Sequence, residues 1–152
     1  MSERLIARMV APLSRALGNM LVRGTVVLAN AATKMQTLQI RLLSGEAKEG
    51  VEHLEAYGFT ARPHPGAECI TLFPGGDRSH GVVIMVADRR YRPNDLQPGE
   101  CAMYTDEDKA AGDHRIIFKR GKEIHLLAGA SSIVMTPAGI TITTPNLDIV
   151  KA

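Results

Sequence analysis

Along the last 38 residues, Arg115 to Ala152, apolar side chains come in alternating pairs: Ile116 and Phe118, Ile124 and Leu126, Ile133 and Met135, Ile140 and Ile142, Leu147 and Ile149. A period of two marks strands with one apolar face. The pair midpoints fall at 117, 125, 134, 141 and 148, so the spacing is 8, 9, 7 and 7 residues; the gaps hold Gly121, Gly129, Pro137 with Gly139, and Pro145 with Asn146. This is an irregular strand repeat of about eight residues. Each segment offers a stripe two side chains wide, too narrow to pack over a helix and too short to close a coil within one chain, so a partner has to cover it. Identical chains bring identical stripes and can wind around a common axis with each strand paired to a neighbour. Full burial of the ten paired residues contributes roughly 1.5 to 3 kcal/mol each, as an upper bound. A meander packed on the preceding domain is the other arrangement this pattern allows.

At the opposite end the period is helical. Leu5, Ile6, Met9, Val10, Leu13, Leu17, Met20 and Leu21 form one stripe, with Arg4, Arg8 and Arg15 off it. The spacing predicts an amphipathic helix over residues 1–22, bent near Pro12. Its stripe, Leu5, Ile6, Met9, Val10, Leu13 and Leu17, packs on its own domain, docks on another protein or lies on a membrane surface. Arg23 and Gly24 then break the pattern.

Between these ends, Thr25–Ala29, Thr37–Leu43, Glu68–Phe73, Gly81–Ala87 and Glu100–Thr105 read as strands, with Asn30 to Lys34 as a turn and Pro74 to His80 as a hairpin loop. The charged stretch with Glu46, Lys48, Glu49, Glu52, His53 and Glu55 reads as a solvated connection. Five short strands in about 85 residues fit a small antiparallel barrel of the oligonucleotide/oligosaccharide-binding (OB) type. The expected fold is therefore mainly β: an N-terminal helix at 1–22, an OB-like barrel at 23–112 and a C-terminal intertwined trimeric β-helix at 113–152.

Composition narrows the function. With 152 residues, 45% apolar and 22% charged, the chain holds one compact domain plus an appendage and is neither disordered nor membrane-spanning. Three Phe, three Tyr and no Trp, without a basic stripe, argue against nucleic-acid binding. The net charge of +2 is uneven: residues 1–23 carry +3, leaving −1 for the rest. Cys69 and Cys101 are the only thiols, without CxxC or clustered histidines, and read as buried and reduced. No secretory signal interrupts this picture, so synthesis and assembly in a reducing cytoplasm are the default.

Candidate chemistry is sparse. Asp77, Ser79 and His80 are hydrolase residue types, but near neighbours on one loop rarely let a base reach the nucleophile while a third group holds the other ring nitrogen. Gly75-Gly76 lacks the GK[ST] ending of a phosphate loop. Asp106-Glu107-Asp108 lacks the alternating ligands, central glycine and closing glutamate of an EF-hand and reads as a solvated turn. The histidines at 53, 64, 80, 114 and 125 form no HxH or HxxxH pair and read as surface or interface residues. No catalytic residue, metal site or cofactor is assigned.

The runs Tyr57-Gly58-Phe59-Thr60-Ala61-Arg62-Pro63-His64-Pro65-Gly66-Ala67-Glu68, Phe73-Pro74-Gly75-Gly76-Asp77-Arg78-Ser79-His80-Gly81-Val82-Val83 and Gly99-Glu100-Cys101-Ala102-Met103-Tyr104-Thr105-Asp106, followed by the β-repeat, resemble one family: the central tail spikes, or baseplate assembly V proteins, of Mu-like contractile-tailed bacteriophages. The resemblance covers nearly the whole chain. It implies a structural, non-enzymatic homotrimer in the virion tail baseplate, with the N-terminal segment docked in the hub, a barrel under the tail tube, and a β-helix driven through the host outer membrane on sheath contraction. Hub and tail-tube proteins are the implied partners, with transient contact to the outer membrane and none to nucleic acid. Spikes of this family often end in an apex where an HxH motif from three chains binds iron; HxH is absent here, and no metal site is carried over. Five strand repeats stacked at about 4.8 Å advance on the order of 25 Å, against roughly 40 to 45 Å for a bilayer with headgroups. The tip is then missing, shortened or supplied by a separate tip protein. The connection Thr105–Arg115 is too short for an inserted lysozyme-like domain. The alternative from another class is a monomeric or dimeric barrel that binds an oligosaccharide or nucleic acid; a hydrolase using His80 is a third.

Overall fold

A computed structural model describes residues 3–148, with the side chains of 3–7, 15, 16 and 110 left out of that description. The chain is mainly β behind an N-terminal helix, and it divides into two compact units, Met1–Arg89 and Arg90–Ala152.

In the first unit, helix α1 (Glu3–Met20) runs through Pro12 and passes directly into β1 (Leu21–Asn30). The remaining strands are β2 (Thr37–Leu42), β3 (Ala47–His53), β4 (Glu68–Leu72) and β5 (Val82–Ala87). They close a barrel in the order β1-β2-β3-β5-β4, with β4 returning to β1. All neighbours are antiparallel except β3 and β5, which run parallel through Glu52 opposite Val82 and His53 opposite Val83. The helical pattern has ended before Gly24, which lies inside β1 where both neighbours converge. A Cβ there would stand 2.9 Å from the Arg41 carbonyl oxygen, so only glycine lets the strands approach this closely.

The barrel interior follows from alternation. Leu38, Ile40 and Leu42 of β2 are buried while Thr37, Gln39 and Arg41 face outward. Val26, Val51, Cys69, Phe73 and Val83 complete the core. Strand β3 corrects the sequence reading of the 46–55 stretch as a solvated connection. It supplies the barrel's fifth strand, with Val51 and His53 buried. His53 is thereby also removed from the surface histidines.

The strand expected as the barrel's fifth belongs instead to the second unit, as β6 (Cys101–Tyr104). A four-residue helix, α2 (Asp108–Ala111), leads to β7 (His114–Lys119), β8 (Glu123–Ala128), β9 (Ser131–Thr136) and β10 (Gly139–Thr143). These form one five-stranded antiparallel sheet in chain order. Four of the five apolar pairs occupy β7 to β10, and the described ladders join each of these strands to its neighbour in the same chain. Leu147, of the fifth pair, is exposed in a segment without strand structure, and Ile149 lies outside the described residues.

Candidate interaction surface

The registers of the second sheet put the alternating residues on one face. Met103, Ile116, Leu126, Ile133 and Ile142 stand directly across from one another in a row, and Cys101, Phe118, Ile124, Met135 and Ile140 make a second row beside it. Residues opposite each other on antiparallel strands share a face. Eight of these ten were singled out in the sequence. Cys101 and Met103 were missed because their strand was assigned to the barrel, although they alternate just as the later pairs do. Leu126, Ile124 and Met135 are half-buried, while Met103 (56%), Phe118 (50%), Ile140 (67%) and Ile142 (55%) are open to solvent. Cys101 is a free, exposed thiol, against the expectation of burial; Cys69 is free and buried, where the loss of solvation raises its pKa.

The other face of the sheet is held differently. Ile117 is buried there, and Arg115 is bound by the preceding segment: its Nη1 and Nη2 donate to the two Asp95 carboxylate oxygens at 2.9 and 2.8 Å, and its Nε to the Gly112 carbonyl at 3.2 Å. The Arg115 guanidinium holds the Asp95 carboxyl below the usual range, and Asp95 in turn raises the arginine. Asp108 is not part of a solvated turn. It is 2% exposed, accepts the His114 backbone N–H at 3.1 Å and lies 3.3 Å from Arg115 Nε. These contacts cover one face of β7 and leave the apolar rows on the other.

Helix α1 presents a second apolar surface. Met9, Val10, Leu13 and Leu17 are all exposed; the side chains of Leu5 and Ile6 lie outside the described residues. The helix is fixed at its last turn, where Phe73 N–H donates to the Met20 carbonyl at 2.7 Å and Arg78 Nη2 to Asn19 Oδ1 at 3.1 Å. Glu46 holds Arg78 from the other side at 2.5 Å, and Lys48 and Arg78 together depress its pKa.

The hydrolase-like cluster does come together, but with the wrong proton arrangement. Ser79 Oγ lies 2.7 Å from Asp77 Oδ1 and 2.8 Å from His80 Nδ1, and Ser79 N–H also donates to Asp77 at 2.9 Å. The carboxylate draws the hydroxyl proton, so Ser79 Oγ accepts from His80 and has no base to activate it. The two Ser79 donors, backbone first, keep the Asp77 carboxyl below its ordinary range. The cluster is a turn closure. Beside it, a cleft of about 490 Å³ runs between β3 and the 73–82 loop, lined by Lys48, Glu49, Glu52, Arg78, Ser79 and His80 among others. Among the described residues no group of three His, Cys, Asp or Glu is placed to hold a metal ion, and no helix is long and apolar enough to cross a membrane.

Comparison with known proteins adds a decisive observation. The chain is 35% identical over 153 aligned positions, covering 99% of its own length and 76% of the relative's, to the "Baseplate puncturing device gp45" of Escherichia phage Mu. The chain belongs to the bacteriophage Mu gp45 family. The family described as "Bacteriophage Mu Gp45, N-terminal" matches residues 23–90, which hold the barrel strands. A second gp45 relative, the "Mu-like prophage FluMu protein gp45" of Haemophilus influenzae, is 39% identical over 99 residues, covering 65% of this chain and 54% of that one. The resemblance read from the sequence motifs thus names the right family.

Proposed function

We propose that this gp45-family chain is a structural, homotrimeric central spike of a contractile tail baseplate, which takes part in baseplate assembly and in piercing the host outer membrane. The observation that carries this reading is the double apolar row on β6 to β10. An exposed face of this extent on a soluble protein marks an interaction surface. Three copies turned toward one axis cover all three faces with like residues. The in-chain ladders leave the faces, together with the open edges of β6 and β10, as the surfaces to be matched. The trimer core consists of Ile116, Phe118, Ile124, Leu126, Ile133, Met135, Ile140 and Ile142, extended by Cys101 and Met103; Leu147 and Ile149 continue it toward the C-terminus. The shaft is the segment from residue 113 onward, seated on β6.

The barrel is read as OB-like because its strand order, with the first strand paired to both the second and the fourth and a parallel third-to-fifth closure, is that of a five-stranded Greek-key barrel. Residues 1–22 dock in the baseplate hub through Leu5, Ile6, Met9, Val10, Leu13 and Leu17, in the helix-in-groove mode. Driving a shaft through a membrane calls for stiffness, and no residue is assigned to catalysis. The virion tail baseplate is the site of action, with hub and tail-tube proteins as neighbours and a separate tip protein completing the point.

Light scattering on the purified chain at several concentrations tests the assembly. A constant mass near three times 16.4 kDa is expected. Ile140→Asp and Ile142→Asp, which put three like charges beside one axis, should each return the single-chain mass. A single-chain mass for the wild type, or a trimer that survives both substitutions, overturns the inward assignment. The cleft beside β3 favours a second reading, a monomeric barrel that binds an oligosaccharide; its mark would be a single-chain mass together with saccharide-dependent thermal stabilisation.

A further inference from the structure

His53 is 7% exposed at the end of β3, in the two-pair parallel seam that joins β3 to β5. Its Nδ1 lies 3.3 Å from Nε2 of Gln36, itself 7% exposed, and the same Gln36 nitrogen donates to the Ala61 carbonyl at 2.9 Å. The carbonyl fixes the amide: nitrogen toward Ala61, with Gln36 Oε1 buried and unpartnered. Since an amide nitrogen is a donor only, Nδ1 must accept, and His53 is the neutral tautomer with its proton on Nε2. A second proton can be added only at Nδ1, where it meets another donor. Turning the amide brings the idle Oε1 to the new N–H but sets that oxygen against the Ala61 carbonyl. The site satisfies either the protonated imidazole or Ala61.

Ala61 ends a braced loop. Leu54 N–H donates to the Val83 carbonyl at 3.0 Å, and the Glu55 carboxylate accepts from Ala61 N–H at 2.7 Å and Thr60 Oγ1 at 3.1 Å. Within that brace Tyr57 is fully exposed and Phe59 is 63% exposed, so two of the chain's six Phe and Tyr residues project from one loop.

We infer that His53, Gln36 and Ala61 form an acid-sensitive latch: protonation of His53 exchanges the Gln36–Ala61 hydrogen bond for one from His53 to Gln36 Oε1, and frees the 54–61 loop with its two aromatic residues from the barrel. Glu55 is the charged group that acts on His53 among the described residues, and it favours the proton. Burial acts the other way and prevails, so the latch stays shut at neutral pH and opens in mild acid.

Amide exchange on the full chain, corrected for intrinsic rates, provides the test. Between about pH 7.5 and about pH 5, protection of residues 54–61 should fall relative to β2 in step with protonation of His53, because above a histidine's pKa each unit of acidification raises the protonated fraction about ten-fold. In Gln36→Glu, whose carboxylate accepts from the imidazolium but repels the Ala61 carbonyl, the loop should be loose at both pH values. In the wild type the His53 ring resonance should titrate below the ordinary 6.5, in step with the loss of loop protection. Loop protection that stays constant while His53 titrates overturns the coupling. A His53 that titrates at or above 6.5 overturns the buried neutral assignment without need of any variant.

Discussion

A guanidinium withdrawn from water needs its hydrogens matched by acceptors, and at Arg115 Asp95 from the preceding loop and the Gly112 carbonyl after α2 supply them, while Asp108 within α2 adds a second counter-charge 3.3 Å from Nε. The partners are unequal, since the Asp108 side chain is 2% exposed and that of Asp95 57%. Arg115→Leu leaves the Asp108 carboxylate buried without its counter-charge and should cost about 3–5 kcal/mol in a denaturant titration. Asp95→Asn, at the solvated end, should cost about 1 kcal/mol or less. His53 acts on stability with the opposite dependence on charge. Its folded pKa lies below the ordinary 6.5 because burial penalises the cation, so below 6.5 the unfolded chain takes up the proton first. Its contribution is intact above 6.5, falls as the pH drops below that value and levels off beneath the folded pKa. Urea midpoints across this range should show the decline in the wild type and lose that component in His53→Gln.

At the level of elements, the sequence was most legible where alternation was unbroken. Strands β7 to β10 each keep a strict period of two between Gly or Pro turns, and their four apolar pairs lie where the pattern put them. Strand β3 escaped notice because its period is interrupted. Leu38 faces Val51 but Ile40 faces Lys48, so an extra residue bulges from β3 beside Gly50, whose φ is +63°. The bulge brings Lys48 and Val51 to the same side, and a charged, glycine-containing segment no longer reads as a strand. A second bulge in β1, between Val26 and Leu28, turns both Val27 and Leu28 outward. Cys101 and Met103 illustrate another limit: their alternation was plain, but one pair of apolar residues does not say which sheet it joins. Helix α1 lends itself to separation of docking from folding. Its Leu13 and Leu17 are exposed, so Leu13→Asp with Leu17→Asp should shift stability by no more than about 0.5 kcal/mol. If α1 docks in the hub as proposed, the same pair should abolish binding to the baseplate hub protein, measured by calorimetry on the full chain.

For the whole molecule, Cys101 offers a reporter that requires no engineering. It begins the row that continues through Phe118, Ile124, Met135 and Ile140, and as a free, exposed thiol it should react fast with an aromatic disulfide reagent in a single chain. In the proposed trimer it is covered. Reaction should slow at least about ten-fold in the assembled wild type and return to the fast rate in Ile140→Asp, as expected when exposure governs thiol reactivity. Equal rates in both would remove Cys101 from the interface while leaving the light-scattering result to decide the trimer.

The order of strands also sets a timetable. In the second unit every strand pairs with the next one along the chain, and the hairpins of β7 to β10 close through short turns, on the microsecond scale typical of such motifs. The barrel must instead join β1 to β4 and β3 to β5 across long stretches of chain, which is intrinsically slower. In a full chain refolding from denaturant the paired apolar rows should therefore form before the barrel has closed, and before any copy has arrived to cover them. Under the proposed assembly, refolding from denaturant should contain a slow phase whose rate rises with protein concentration and which Ile142→Asp removes. Dilution would protect the barrel and starve the shaft.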